Sequence, residues 1–240
     1  MVQTATKFIK NISFSMIADL SNKISKFLLY IFISNSLGVS SMGGFSIALT
    51  FLGFGILFSN WGFGNLLTRE ISRDKTRLNK FLTNYAFIRI IFALFSILLI
   101  NLITPLFSYS EITNEVIKIS SISIIATTLI KLYYALFTAY EDLKFFSFIS
   151  LSGNIVRLLL SILILINGGG LVAIAVIYST SEFLILIFST ILTKKYLKNF
   201  HLEINIEFAL NQILKALPFL WIGILVMLDT RTEILILSWF

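Results

Sequence analysis

The sequence contains no cysteine, only two prolines and one histidine, and charged residues make up just 13% of its 240 positions. Without cysteine there is no disulfide framework, and one histidine leaves too few ligands for a zinc site. The scarcity of proline suits long, uninterrupted helices. Because soluble domains average about 25% charged residues, the shortage of charge argues against a water-soluble protein.

What the sequence does contain is mostly apolar. Hydrophobic residues make up 57% of the chain, including 24 phenylalanines, and the mean hydropathy is +0.93. Long runs of isoleucine and leucine predict membrane helices, whereas the strands of a membrane barrel would alternate apolar and polar residues. We therefore predict an all-α integral membrane protein, a polytopic helical bundle. The net charge is +7, and the basic residues flank apolar runs. We therefore expect them to contact membrane lipid rather than nucleic acid.

Apolar length predicts about seven transmembrane helices, each long enough to cross a hydrocarbon core of about 30 Å. The predicted spans are residues 11–37, 43–66, 80–103, 115–139, 144–166, 171–193 and 213–240. The first is the weakest, because its uninterrupted apolar part covers only residues 27–37. The alternative for this span is a helix lying in the membrane interface.

The basic residues lie at one end of these spans. The segment 67–80 alone carries five cations against two anions, while the connections at the opposite end, 35–42, 104–114 and 167–170, contain no Lys or Arg. Basic connections remain on the cytoplasmic side of a membrane. The pattern predicts a cytoplasmic N-terminus, and it favours a membrane-crossing first span, because without that span the basic connections would face outward.

A polar connection follows the sixth span and suggests a division of the chain. We predict a six-helix transmembrane repeat over residues 1–200, followed over residues 201–240 by a cytoplasmic connection and a seventh helix. That helix is interpreted as the first of a second, truncated repeat. The sequence has no phosphate-binding glycine loop and no histidine pair. We therefore expect a transporter without cofactor or metal, with a membrane glycosyltransferase as the alternative.

Polar residues recur at helical spacing inside three spans. The set in the first span is Ser15, Asp19, Asn22, Lys23, Lys26 and Tyr30; in the fourth it is Thr127, Lys131, Tyr134 and Thr138; in the fifth it is Ser150, Asn154, Arg157 and Ser161. In the fourth and fifth spans the offsets of 4, 7 and 11 place each set on one helix face. Ionisable groups within a membrane are costly and usually face a bundle interior or a wet cavity. These faces therefore predict a polar cavity.

Arg157 and Glu182 are the ionisable residues placed deepest in the bilayer. Each lies far from both ends of its span, and a glutamate side chain is too short to reach the headgroups from there. The spans before and after the short turn at 167–170 run in opposite directions, so residue 157 lies at the same depth as residue 180, close to Glu182. This symmetry predicts an ion pair or a water-bridged pair, with a purely structural role in the hairpin as the alternative.

The charge balance inside the spans favours an anionic ligand. The interior cations are Lys23, Lys26, Arg89, Lys131, Arg157 and Arg231, and the interior anions are Asp19, Glu182, Asp229 and Glu233. Guanidinium and ammonium groups bind phosphate and pyrophosphate oxygens. An anionic, lipid-linked substrate is therefore expected rather than a cationic drug.

Several motifs resemble those of a known family. Gly43-Gly44-Phe45-Ser46, Gly62-Phe63-Gly64 and Thr68-Arg69-Glu70-Ile71-Ser72-Arg73 resemble the second helix of the polysaccharide-biosynthesis flippases. These proteins are the O-antigen and capsule repeat-unit exporters of the multidrug/oligosaccharidyl-lipid/polysaccharide transporter superfamily. The segment 137–144, Gly153-Asn154 with Arg157, and Leu217-Pro218 followed by Arg231 and Glu233 extend the resemblance over nearly the whole chain. Glu233 stands where the family usually has aspartate.

The resemblance implies a flippase of the bacterial plasma membrane. Such proteins move undecaprenyl-pyrophosphate-linked oligosaccharides from the cytoplasmic to the periplasmic leaflet by alternating access between two six-helix halves. It also implies that Arg89, Lys131 and Arg157 contact the pyrophosphate and that Glu182 or Asp19 is an ion-coupling acid. The polar faces add Lys23, Lys26 and Asn154 to the predicted substrate cavity.

The length of the chain departs from that family pattern. Alternating access requires two halves around a central site, and this chain supplies one half plus one helix. The partners expected are the lipid-linked oligosaccharide, membrane lipid, and a missing C-terminal half or other polysaccharide-assembly proteins. The alternative functions are export of other small molecules or lipid-linked precursors, and an inactive fragment.

Overall fold

The computed structural model describes residues 2–197 and 201–237, with side chains for residues 11–197, 201–226 and Leu228. Over these ranges the chain forms helices and no strand. The α-helices of this part are α1 (Val2–Leu37), α2 (Val39–Asn60), α3 (Phe63–Arg73), α4 (Leu78–Ile103), α5 (Glu111–Ala139), α6 (Leu143–Ile166), α7 (Leu171–Thr193) and α8 (Ile206–Leu237). The prediction of an all-α helical bundle is confirmed.

Six of these helices are long and apolar enough to cross a membrane, namely α2, α4, α5, α6, α7 and α8. They correspond to six of the seven predicted spans. α1 is longer than any of them, but Asp19, Lys23 and Lys26 interrupt its apolar sequence. Crossing of the membrane by α1 therefore stays a prediction.

α5 is the central helix of the bundle. Of its most apolar 18-residue stretch 56% is buried, compared with 22–44% for the other five apolar helices. Val116, Ile117 and Ile124, in its first half, join a core with α1, α2, α4 and α7. Leu132 and Leu136, in its second half, join another core with α3, α4 and α8. α5 therefore provides a common wall for both ends of the bundle.

α1 packs alongside α6, and the two helices run in the same direction. Asn11 Nδ2 donates a hydrogen bond to the Glu141 carbonyl at 3.0 Å, and Asn154 Nδ2 donates to Ser21 Oγ at 3.1 Å. The residue numbers rise together along the two helices, so the pair is parallel. Small and amide side chains of this kind join helices within membranes. α1 is thus packed as a member of the bundle.

The second predicted span, 43–66, is broken by an elbow after Asn60. Trp61 and Gly62 both have left-handed backbones, with φ of 42° and 73°. Two successive left-handed residues cannot continue a right-handed helix. The predicted basic connection 67–80 is also corrected, because most of it is helical: α3 continues to Arg73, and a short 3-10 turn covers Lys75–Arg77.

α3 is amphipathic and lies against the bundle. Its buried residues are Phe63, Leu66, Leu67 and Ile71. The offsets of 3, 4 and 8 place them on one face, while Arg69 and Arg73 are exposed. Thr68 Oγ1 donates to the Ala135 carbonyl of α5 at 3.1 Å. An apolar inner face and a basic outer face suit a helix lying in the membrane interface.

Asn84 on α4 holds the connection to α8 in place. Its Nδ2 donates to the Glu203 carbonyl at 2.7 Å, and its Oδ1 accepts from the Asn205 N–H at 2.8 Å. α8 begins directly afterwards at Ile206 and packs on α2 and α4. The division of the chain at residue 200 stays a prediction.

Candidate functional site

A cavity of about 780 Å³ lies between α1, α2, α5, α6, α7 and α8, and we call it the chamber. Its polar lining consists mainly of Asp19, Asn22 and Lys26 from α1, Thr127, Lys131 and Tyr134 from α5, Ser150, Asn154 and Arg157 from α6, and Tyr178 and Glu182 from α7. The three polar faces singled out in the sequence therefore meet around one space. Its volume falls within the range of about 300–1,000 Å³ typical of small-molecule sites.

The part of the chamber lining that comes from α2 and α8 is almost entirely apolar. α2 and α8 contribute Leu49, Leu52, Gly53, Ile56, Leu57, Asn60, Gly223 and Val226. Asn60, at the last position of α2, is the polar exception in that set. In the described lining, the charged groups come from α1, α5, α6 and α7, which also contribute Ile130, Phe146 and Ile185, whereas the α2 and α8 part is hydrocarbon apart from Asn60.

Arg157 and Glu182 form the predicted ion pair. Arg157 Nη2 donates to Glu182 Oε1 at 2.6 Å, and both residues are buried, with 6% and 8% exposure. Thr127 Oγ1 donates to the second carboxylate oxygen at 3.3 Å. The guanidinium carbon also lies 4.4 Å from the ring centroid of Tyr178. Because both carboxylate oxygens accept hydrogen bonds, this pair joins α5, α6 and α7 with little net charge.

Lys131 is the cation most available to a ligand. Its side chain is exposed to the chamber, and within the described part of the chain it forms no ion pair. Lys26 and Asp19 line the same space. The described lining holds three cations, Lys26, Lys131 and Arg157, against the two acids, so it has a surplus of one positive charge.

Of two further residues predicted to bind substrate, Asn154 lines the chamber and Lys23 does not. Asn154 is buried at the chamber wall and spans from α6 to α1 through its bond to Ser21. Lys23 is exposed and does not line the chamber. Asp19, Asn22 and Lys26 are spaced by 3 and 4 residues and lie within about 60° of arc on α1. Lys23 lies beyond the edge of that face, about 40° past Asp19 and about 100° from Asn22.

Arg89 lies behind the chamber wall rather than within it. The residue is 0% exposed. Its Nη1 donates to the Thr128 carbonyl at 2.7 Å, and its Nη2 donates to Asn60 Oδ1 at 2.6 Å. The direct contact with a ligand that the family resemblance implies for Arg89 therefore does not follow from its placement. Among the described residues, Asn60 both bonds Arg89 and lines the chamber, so it connects the two.

Asn60 and Tyr178 are polar lining residues that the sequence analysis does not single out. Asn60 lies near the end of a strongly apolar run, within the predicted span 43–66. Its helical spacing was informative, because Leu49, Leu52, Gly53, Ile56 and Asn60 follow one another at intervals of 3, 1, 3 and 4 residues. Such intervals place a polar group on the same face as the apolar lining of α2.

The remaining predicted charges fall outside this description. The side chains of Asp229, Arg231 and Glu233 lie beyond the described residues, so their expected place in the interior charge balance stays a prediction. Within the described part, no cluster of three histidine or acidic side chains suited to a metal ion occurs.

Asp142 links the turns at the basic end of the bundle. Tyr196 Oη donates to Asp142 Oδ2 at 2.5 Å, and Lys195 Nζ lies 3.0 Å from the same oxygen. Partial burial raises the pKa of the Asp142 carboxyl, but the hydrogen bonds from Tyr196 and Lys195 outweigh it and hold the pKa below its ordinary value. The ionised carboxylate therefore ties the end of α7 to the α5–α6 turn.

Comparison with known proteins gives one match. The family model described as polysaccharide biosynthesis protein matches residues 8–240, which is nearly the whole chain. Neither the curated proteins nor the solved structures contain a match.

Proposed function

Because the chain belongs to the polysaccharide biosynthesis protein family, we propose that it flips undecaprenyl-pyrophosphate-linked oligosaccharide repeats across the bacterial plasma membrane. Movement is from the cytoplasmic to the periplasmic leaflet, for O-antigen or capsule synthesis, and the N-terminus is cytoplasmic. The family membership supports a role in polysaccharide synthesis or export. The substrate and the direction are our proposal.

The observation that carries the proposal is that charged and hydrocarbon groups line the same chamber. A lipid pyrophosphate has an anionic, strongly hydrated head joined to a hydrocarbon chain. The α1, α5 and α6 side of the chamber offers amides, hydroxyls and surplus positive charge, and the α2 and α8 side offers leucine and isoleucine. Both chemistries of such a substrate therefore find a matching surface within one cavity.

Within this proposal Lys131 is the main contact for the pyrophosphate. It is exposed to the chamber and forms no ion pair with a described residue. Lys26 and Asn154 assist from α1 and α6, and Arg157 approaches from the wall while bound to Glu182. Ammonium and guanidinium groups bind phosphate oxygens through charge-assisted hydrogen bonds, which are about twice as strong as neutral ones.

Asp19 is the better candidate for the ion-coupling acid. Both oxygens of Glu182 already accept hydrogen bonds, from Arg157 and Thr127. Asp19 is exposed in the chamber and has no ion pair among the described residues. A carboxylate placed this way is free to bind a proton or a metal cation and release it during transport. Lys23, outside the chamber, is assigned to the lipid headgroups.

A binding experiment tests the proposal directly. The purified protein is titrated in detergent with farnesyl pyrophosphate, and farnesol serves as the uncharged comparison. We expect binding of the pyrophosphate alone, and binding about tenfold weaker in Lys131→Gln, because a charge-assisted contact contributes about 1.5–3 kcal/mol.

Lys144→Gln is the matched control. Lys144 is exposed at the start of α6 and does not line the chamber, so this variant removes the same charge from a different place and is expected to bind like wild type. Equal binding of farnesol and farnesyl pyrophosphate, or equal losses in the two lysine variants, would contradict the proposal. Restoration of polysaccharide export in a flippase-deficient strain then tests the direction of transport.

A further inference from the structure

Arg89 is a fully buried guanidinium without a carboxylate partner among the described residues. It has two neutral acceptors, the Thr128 carbonyl and the Asn60 side chain. Its Nε has no hydrogen-bond partner in the described part of the chain. A buried cation is costly unless it is paired, and this one keeps its charge uncompensated directly behind the chamber wall.

The same contact determines the orientation of the Asn60 amide. A guanidinium donates hydrogen bonds and accepts none, so the atom of Asn60 that faces it at 2.6 Å must be the carbonyl oxygen Oδ1. The amide NH₂ is then the other branch of the side chain. Asn60 lines the chamber, and no described residue accepts a hydrogen bond from its Nδ2.

We propose that the Asn60 amide is a binding subsite for phosphate oxygens in the chamber, oriented and polarised by Arg89 behind it. This inference rests on the proposed function and deepens it. The Asn60 NH₂ donates to an anionic oxygen, while Arg89 withdraws electron density through Oδ1 and adds positive potential without touching the ligand. Asn60 is the binding residue, and Arg89 is a positioning residue.

The subsite adds a hydrogen-bond donor to the α2 and α8 part of the lining, which is otherwise apolar. Lys26, Lys131 and Asn154 approach from α1, α5 and α6, whereas Asn60 stands in the apolar wall formed by α2 and α8. A pyrophosphate bound between them receives donors from two sides. The hydrocarbon chain next to it can then follow the leucine and isoleucine side chains of α2.

Asn60→Asp distinguishes a role of Asn60 in ligand binding from a purely structural role. The new carboxylate faces Arg89, forms an ion pair with it and should raise the melting temperature. It also replaces the NH₂ donor with an anionic oxygen and cancels the charge of Arg89. Farnesyl pyrophosphate is therefore expected to bind at least about tenfold more weakly, although the protein is more stable. If Asn60 only joined α2 to α4, added stability would leave binding unchanged.

Asn65→Asp is the matched control, because Asn65 is exposed on α3 and does not line the chamber. It introduces the same charge nearby and is expected to bind like wild type. Wild-type affinity in Asn60→Asp, or a melting temperature below that of wild type, would overturn the subsite. If wild type itself does not bind farnesyl pyrophosphate, both this inference and the proposed function fail, whereas an unaffected Asn60→Asp removes the subsite alone.

A second pair of variants tests the role of Arg89 without changing Asn60. Arg89→Gln removes the charge, and Arg89→Lys retains it. Binding is expected to be several-fold weaker in Arg89→Gln than in Arg89→Lys. Equal affinities in the two variants would overturn the polarising role of Arg89.

Discussion

The buried charges of the chamber differ in how they are compensated, and this decides what each can do. Arg157 is paired with Glu182 at 2.6 Å, so its charge is largely neutralised within the protein. Lys131 forms no ion pair with a described residue, so its positive charge is available to a ligand. Arg89 bonds two neutral acceptors and no acid among the described residues, and we propose that it acts on the chamber through Asn60. The three cations therefore differ in how directly they can act on a ligand.

Removal of Glu182 alone should destabilise the protein more than removal of the whole ion pair. Glu182→Leu leaves a buried guanidinium uncompensated, which costs about 3–5 kcal/mol. The double variant Glu182→Leu with Arg157→Met removes both charges and should recover most of that loss. The measurement is the melting temperature of the purified variants in one detergent.

Glu115→Leu is the control for the loss of an acid, because Glu115 is exposed on α5. Its melting temperature should remain close to that of wild type, since exposed substitutions usually change stability by less than about 0.5 kcal/mol. A double variant less stable than Glu182→Leu would show that the pair contributes through more than mutual compensation.

Helical spacing was sufficient to predict most of the chamber lining. It placed Lys131, Asn154 and Arg157 on inward faces, and the short turn at 167–170 placed Glu182 at the depth of Arg157. It did not separate Arg89 from the cavity, because spacing gives the face and the depth of a residue but not the neighbour that covers it. The carbonyl of Thr128 and the amide of Asn60 come from other helices, and their position follows only from packing.

At the scale of elements, the elbow between α2 and α3 brings Gly62, which follows the left-handed Trp61, into close contact with α8. Gly62 has φ of 73°, and a Cβ there would overlap the side chain of Phe219 on α8. Gly168, in the α6–α7 turn, has a similar φ of 78°, but a Cβ there would meet nothing within 4 Å. The two glycines share the backbone requirement and differ in packing.

Gly62→Ala should therefore destabilise the protein more than Gly168→Ala. Both variants place alanine in the left-handed region, at about 1–2 kcal/mol, and overlap with Phe219 adds about 1–3 kcal/mol at residue 62. Thermal unfolding of the two variants measures the difference. Equal melting temperatures would mean that α8 moves away from the elbow without cost.

The α7–α6 connection at Asp142 should weaken in acid. The pKa of Asp142 is lower in the folded protein than its ordinary value of 3.8. Its contribution to stability is therefore fully present above that ordinary value and is lost as the pH falls through the lower, folded pKa. Melting temperatures of wild type and Asp142→Asn should differ at neutral pH and converge as the pH falls below the ordinary value of 3.8. A constant difference would contradict this assignment.

The sequence predicted the existence of the elements better than their ends. The apolar runs gave α4, α6 and α7 nearly as observed, because continuous hydrocarbon length is a strong indicator of a membrane helix. α3 was interpreted as a connection, since its charges conceal an apolar face of only a few residues. The break before it depends on the left-handed Trp61, a conformation that residue type alone does not predict.

At the scale of the whole molecule, the absence of cysteine makes the predicted orientation directly measurable. Ser72→Cys lies on α3 at the basic end, and Ser108→Cys lies in the connection between α4 and α5; both serines are exposed. With a cytoplasmic N-terminus, a membrane-impermeant maleimide added to intact cells should label residue 108 and not residue 72. Labelling of residue 72 alone would reverse the topology, and disruption of the cells should expose both sites.

The parallel pairing of α1 with α6 also has a consequence for biogenesis. The hydrogen bonds that join these helices connect residues 130 and 133 positions apart in the chain. At a translation rate of about 5–20 residues per second, the earliest helix waits on the order of ten seconds for its principal neighbour. If α1 crosses the membrane as predicted, Asp19, Lys23 and Lys26 must be sheltered during that interval by the insertion machinery or by headgroups. Weakening of the α1–α6 contacts should therefore lower the yield of inserted protein before it alters transport.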